Sequence, residues 1–253
     1  MDQMHQSSQE PIRRRDAGAV QVTERDVLVL TWTAEQFCIA FDQLQRLLGR
    51  YAKAATKAPD VLSVSATRDA IGRWLQLGFV EEPRKILTGH PPYVWLSRRG
   101  LAQLGLPYAY YKPQVSRVKH IYAVNAIRLH LEGYNLQSVW YPERALTRET
   151  QQRPLPDAEL RIAGLPHIAV KVIERPFALD VTLRDELTAL SELARRYTSL
   201  WYFMHTDALP TMQQALTTLD QDVRHRVTFH GLDAQPATGE QTPSVGGEPS
   251  ISP

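Results

Sequence analysis

The hydrophobic period of this chain changes once within its first hundred residues, and that change limits the fold more than any other feature. Thr23-Glu24-Arg25-Asp26 opens a helix: Thr23 is a cap, Asp26 lies three residues on at the favourable end of the dipole, and Val27, Leu28, Leu30 and Thr31 follow at helical spacing. A second helix carries Phe41, Leu44, Leu47 and Leu48 on one stripe and stops at Gly49. A third runs from Ser65 to Leu77 with Ala70, Ile71, Trp74 and Leu75 inward, and Gly78 ends it. The pattern then becomes that of a hairpin. Phe79 to Leu87 is one arm, Thr88-Gly89-His90-Pro91-Pro92 the turn, and Tyr93-Val94-Trp95-Leu96 the return, after which Ser97 caps a short helix through Leu104. Three helices followed by a hairpin is the order of a winged helix-turn-helix domain.

A linker with Pro107 and Pro113 follows, then a helix from Ser116 to Glu132. Beyond it, strands are predicted at Leu136–Tyr141, Asp157–Ile162, Ile168–Glu174, Leu200–Met204 and Arg226–His230, with helices at Leu183–Tyr197 and Thr211–Asp220. Strands first and then strand–helix alternation indicate an α/β unit with a mixed sheet. The expected class is therefore α+β: a polar arm over 1–21 containing Arg13-Arg14-Arg15, a winged helix over 22–106, a linker over 107–115, an α/β unit over 116–231, and a Gly/Pro/Ser/Thr-rich tail over 232–253.

Charge separates the two halves. Through Lys119 there are seventeen Lys and Arg against eleven Asp and Glu; the remainder holds twelve against sixteen, although the whole chain is only +2. A basic first half suits a polyanionic partner. No apolar run approaches the ~20 residues of a membrane helix. The polar start is unlike a secretory leader, so a cytoplasmic location with no membrane partner is expected. The single cysteine, Cys38, sits in an apolar stretch and reads as a buried small side chain.

Double-stranded DNA is the partner this pattern implies. The third helix is the expected recognition element, with Ser65 at its start and Thr67, Arg68 and Arg73 facing outward. Arg68 is placed for a bidentate guanine contact. Arg84 and Lys85 in the wing, and Arg98 and Arg99 after it, are expected at phosphates. The competing reading is a solvated charged face on a domain used for protein contacts.

In the second half, Pro156-Asp157 opens one strand and Ile168-Ala169-Val170-Lys171-Val172-Ile173-Glu174 forms the next. This layout resembles the PD-(D/E)xK nucleases, in which an acid on one strand and an acid and lysine two residues apart on its neighbour hold a divalent metal and an attacking water. Glu143 and Asp157 fit two of the acids. Lys171 stands where the second strand's acid belongs, and Ile173 where its lysine does. An inactive nuclease-like domain with no cofactor follows. A metal-dependent endonuclease, requiring Mg²⁺ and a third carboxylate such as Glu174 brought round by a bulge, is the alternative.

Taken together the two halves resemble the replication-relaxation family of plasmid and mobile-element proteins. The likeness rests on Thr23-Glu24-Arg25-Asp26-Val27-Leu28, Leu75-Gln76-Leu77-Gly78-Phe79-Val80-Glu81, Trp95 to Leu101, Leu104-Gly105-Leu106, His120 with Ala123-Val124-Asn125, Pro156-Asp157-Ala158 and Ala169-Val170. It spans about residues 22–205. It implies a role in replication, transfer or transcription control of a mobile element, with replication or transfer proteins and a second copy of the chain as further partners. An assembly adaptor whose second domain binds protein is a third reading.

Overall fold

The structure, a computed structural model, describes residues 21–52, 61–134, 138–174 and 180–232. The arm and tail read from composition lie outside these residues, except for Gln21 and Leu232. The fold is α+β, and the chain divides into two compact units: residues 1–85 with 90–112, and residues 86–89 with 113–253.

In the first unit, α1 (Glu24–Glu35) begins with a capping box. The Asp26 N–H donates to Thr23 Oγ1 at 3.1 Å, and the Thr23 N–H donates back to Asp26 Oδ2 at 3.0 Å. A two-residue strand, β1 (Ile39–Ala40), leads into α2 (Phe41–Arg50), whose Leu44, Leu47 and Leu48 are wholly buried. α3 (Val64–Gln76) is capped by Ser63 and buries Thr67, Ala70, Ile71 and Trp74. It ends in a Schellman arrangement: the Phe79 N–H donates to Trp74 O, and that of Gly78 to Leu75 O. Gly78 carries the positive φ of 73° that this stop requires.

The hairpin arms pair through bridges at Val80–Leu96 and Arg84–Tyr93. β2 (Tyr93–Val94) also pairs antiparallel with β1, making a small sheet that joins the hairpin to the segment between α1 and α2. Ser97 caps α4 (Arg98–Gln103) and donates its hydroxyl to Gly78 O at 2.6 Å. α4 then starts so close to the first arm that a Cβ on Gly100 would meet Phe79 O at 2.0 Å. The linker expected from Pro107 onward includes packed residues: Tyr111 lies edge-on to Phe37, and Tyr110 lies under the Arg98 guanidinium.

The second unit is a five-stranded mixed sheet ordered β3 (Ser138–Pro142), β4 (Ala158–Ile162), β5 (Ile168–Ile173), β6 (Ser199–Met204), β7 (Val227–Gly231). The first three run antiparallel in succession, and β5, β6 and β7 are parallel. α5 (Val115–Tyr134) sets Val124 and Ile127 against Trp140, Leu160, Ile168, Val170, Val172 and Phe203 on one face. α7 (Asp180–Ala194), which crosses from β5 to β6, sets Leu190 and Leu193 against Ala169, Leu200, Tyr202 and Met204 on the other. Both faces of β5 are covered, which explains its nearly continuous apolar sequence. Sequence periodicity did not resolve α6 (Glu143–Glu149). It also carried α8 (Leu209–Leu216) on to Asp220 and did not resolve α9 (Gln221–His225).

Candidate functional site

The most concentrated chemistry lies in the second unit, where Lys171 interrupts the apolar run of β5. Its side chain is 22% exposed, so its ammonium needs an anion close by. Register supplies one. Ala158 pairs with Val170 and the Asp157 N–H donates to Val170 O, which brings Asp157 opposite Lys171, with Nζ 3.7 Å from Oδ2. β4 begins just after Asp157, so no β4 carbonyl pairs with the Val172 N–H. Asp157 Oδ2 accepts that hydrogen instead, at 2.7 Å. Oδ1 lies 2.7 Å from His120 Nε2 on α5.

Asp157 is 6% exposed. Burial alone would disfavour its charge, but Lys171, His120 and the Val172 N–H outweigh that and hold its pKa at about 2. The counterparts respond in the expected sense. Burial lowers His120, yet Asp157 more than offsets it and leaves the imidazole above its usual value. Asp157, followed by Glu186 and Glu143 against opposing desolvation, raises Lys171.

Two further carboxylates act on the same ammonium. Glu143, the first residue of α6, donates its N–H to Asp157 O at 3.0 Å, and its side chain pairs with Arg117 at 3.2 Å. Glu186 comes from α7. Burial raises its pKa, with Lys171 pulling the other way. The Tyr202 hydroxyl faces Glu186, and its hydrogen bond to the carboxylate also works to lower the Glu186 pKa. Burial and then the Glu186 charge push Tyr202 well above its usual value.

Glu143, Asp157 and Lys171 are thus brought together. His120 and Glu186 join them, although the sequence reading gave neither a place in this site. Glu174, the alternative third acid, follows the regular end of β5, which shows no bulge over its pairing with β6. The divalent metal implied by the nuclease resemblance does not fit these residues. A cation on the chain itself lies among the acids, and among the described residues no three His, Cys, Asp or Glu side chains form a group that could hold a metal ion.

A second buried carboxylate, Glu159 on β4, lies in the wall of a cavity of about 610 Å³ and is engaged by its neighbours. Tyr197 OH donates to it at 2.7 Å, Arg161 pairs at 2.8 Å, and His167 Nδ1 lies at 3.3 Å.

In the first unit, Ser65 and Arg68 are exposed on α3, and Arg84, Lys85, Arg98 and Arg99 are exposed on and after the hairpin. Two of the expected outward residues turn elsewhere. Thr67 is wholly buried, its hydroxyl donating to Ser63 O at 2.9 Å. This follows from spacing, because Thr67 shares the stripe of Ala70, Ile71 and Trp74. Arg73 pairs with buried Asp26 at 3.4 Å and ties α3 to α1. Arg98 lies over Tyr110, 4.6 Å from the ring centroid. No described helix is long and apolar enough to cross a membrane. The chain matches no known protein family, no curated protein and no solved structure.

Proposed function

We propose that this chain is a non-enzymatic protein that binds double-stranded DNA through its first unit, a winged helix with α3 as the recognition helix. One observation carries the reading: Ser65 and Arg68 are exposed in the first turns of the helix that follows α2, while the next hairpin exposes Arg84 and Lys85. Residues early in such a helix reach base edges, and wing cations reach phosphates. Pairing of the hairpin's return arm with β1 favours the winged arrangement, since it ties the hairpin to the strand between the first two helices. The second unit is read as a nuclease-like domain, from the placing of Asp157 and Lys171 on neighbouring strands, that is non-catalytic. The resemblance to replication-relaxation proteins supplies the setting: replication, transfer or transcription control of a mobile element, in the cytoplasm, alongside replication or transfer proteins and as a homodimer.

Sequencing of DNA fragments retained by the purified protein tests this and defines the site. On that site, Arg68→Ala weakens binding by ~1–3 kcal/mol and relaxes one position, whereas Arg84→Ala and Lys85→Ala weaken all sequences alike and each lower the salt slope by ~1. Parental affinity in all three variants overturns the assignment. Magnesium-dependent nicking of a plasmid, abolished by Asp157→Ala, would overturn the non-enzymatic part.

A further inference from the structure

We propose that the cavity of about 610 Å³ beside β4 in the second unit binds a small zwitterion, a free amino acid or short peptide that presents an ammonium and a carboxylate together. The inference is independent of DNA binding by the first unit and of the nuclease-like reading of the second.

The wall of this cavity carries charge of both signs, and each charge is held by neighbours. On the acidic side stand Glu149, at the end of α6, and Glu159 on β4. One cation serves both: Arg161 lies 2.8 Å from Glu159 and 3.7 Å from Glu149, with its guanidinium 3.5 Å from the centroid of the Tyr141 ring. The Tyr141 hydroxyl donates to Glu149 Oε1, and the Tyr197 hydroxyl to Glu159 Oε1 at 2.7 Å. Glu159 is nearly buried, and Tyr197, Arg161 and His167 occupy its oxygens. Glu149 is 55% exposed, with only the more distant Arg161 contact at Oε2, so it is the carboxylate with acceptor capacity left for a ligand.

On the basic side stands Arg196, just beyond α7. Its guanidinium donates to Pro154 O and lies 5.7 Å from the centroid of the Tyr197 ring. Among the described residues no carboxylate pairs with it, and most of its N–H donors remain for a ligand; their fork suits a carboxylate. A ligand of one sign alone meets its like on the other side of the cavity. A molecule with both groups matches the wall at both places, so each charge that leaves water gains a partner. The volume falls in the range of small-molecule sites, and Leu146 and Pro166 give apolar lining for a side chain.

Calorimetry of the full chain against each of the common free amino acids and against dialanine tests the proposal. At least one of these probes binds with a Kd below ~1 mM. Its N-acetyl form, which lacks the ammonium, and its C-amide form, which lacks the carboxylate, each bind the parent protein at least ~10-fold more weakly. Arg196→Met weakens the free ligand by ~10-fold or more and abolishes its preference over the C-amide, and Glu149→Gln does the same for the N-acetyl form. Absence of binding by every probe overturns the proposal. A blocked form that binds as tightly as the free ligand also overturns it, marking a site for an anion or a cation alone. So do folded variants that keep both preferences, which would place the ligand elsewhere. The blocked forms are compared on the parent protein, so a variant that fails to fold leaves the test decisive. None of these outcomes bears on Arg68-dependent DNA binding, so the two proposals fail separately.

Discussion

Asp157→Asn isolates the charge of the central carboxylate while leaving its shape. The amide oxygen can still accept from the Val172 N–H, so the strand end keeps its hydrogen bond. What disappears is the anion facing Lys171 and His120. The ionised form is favoured by the difference between the carboxyl's ordinary pKa of 3.8 and about 2 in the fold. That difference alone is about 2 kcal/mol. Asp157 is almost fully buried, so solvent screening does not reduce it. Leaving Lys171 buried with a partner removed raises the cost toward the 3–5 kcal/mol typical of a broken buried pair. Glu186 and Glu143 remain near the ammonium, which sets the expected loss at the lower end, about 3 kcal/mol. Hydrogen exchange of the Val170 and Val172 amides reads the stability of this sheet separately from the first unit. Both amides should exchange ~100-fold faster in Asp157→Asn. Asp157→Asn with Lys171→Met removes both charges and should recover ~1 kcal/mol or more of that loss. A single variant within ~0.5 kcal/mol of the parent, or a double variant less stable than the single, would refute the argument that this pair is electrostatically coupled.

Acid and base should weaken the second unit for different reasons. Asp157 is depressed from 3.8 to about 2, so its contribution is complete above 3.8 and is lost as pH falls toward 2. His120 is raised above 6.5, so its contribution is complete below 6.5 and is lost as pH rises through its folded value; Glu186, raised above 4.5, likewise favours the fold less as pH rises. The same amides should therefore be most protected between pH ~4 and ~6.5 after correction for intrinsic exchange, and a monotonic rise from pH 3 to 8 would contradict the assignment. In the first unit, Gly100→Ala places a methyl 2.0 Å from Phe79 O, which neither α4 nor the hairpin arm can absorb without shifting. It should cost more than ~2 kcal/mol in urea unfolding, and a cost below ~0.5 kcal/mol would show that the Ser97–Gly78 junction is looser than described.

Local signals explain why much of the first unit was legible. The Thr23–Asp26 box, the Gly78 stop and the Ser97 cap are each set by residues within a few positions of one another. Thr67 carried a legible signal too, because it lies on the stripe of Ala70, Ile71 and Trp74; centring the apolar face on Ile71, Trp74 and Leu75 places it outside, yet it is buried and one bond to Ser63 O satisfies its hydroxyl. β1 is only two residues long and exists because Tyr93 and Val94 pair with it, so no local pattern announces it. Arg73 meets Asp26 across 47 positions of sequence, and nothing near either residue names the other.

The polar centre of the second unit shows the same limit in its strongest form. Lys171 within an apolar strand demands an anion, and Asp157 on the adjoining strand was an available answer from the sequence. Glu186 resembles any solvated acid on an amphipathic helix, and His120 any polar residue in the first turns of another. The β5–α7–β6 crossover brings Glu186 toward Lys171, and the start of β4 brings Asp157 to His120. Once those elements meet, the identity of residue 171 decides the chemistry. A carboxylate there would add to the negative charge of Asp157, Glu143 and Glu186 and require an external cation. The lysine at this position neutralises part of that charge from within the chain, with Asp157 Oδ2 3.7 Å from its ammonium.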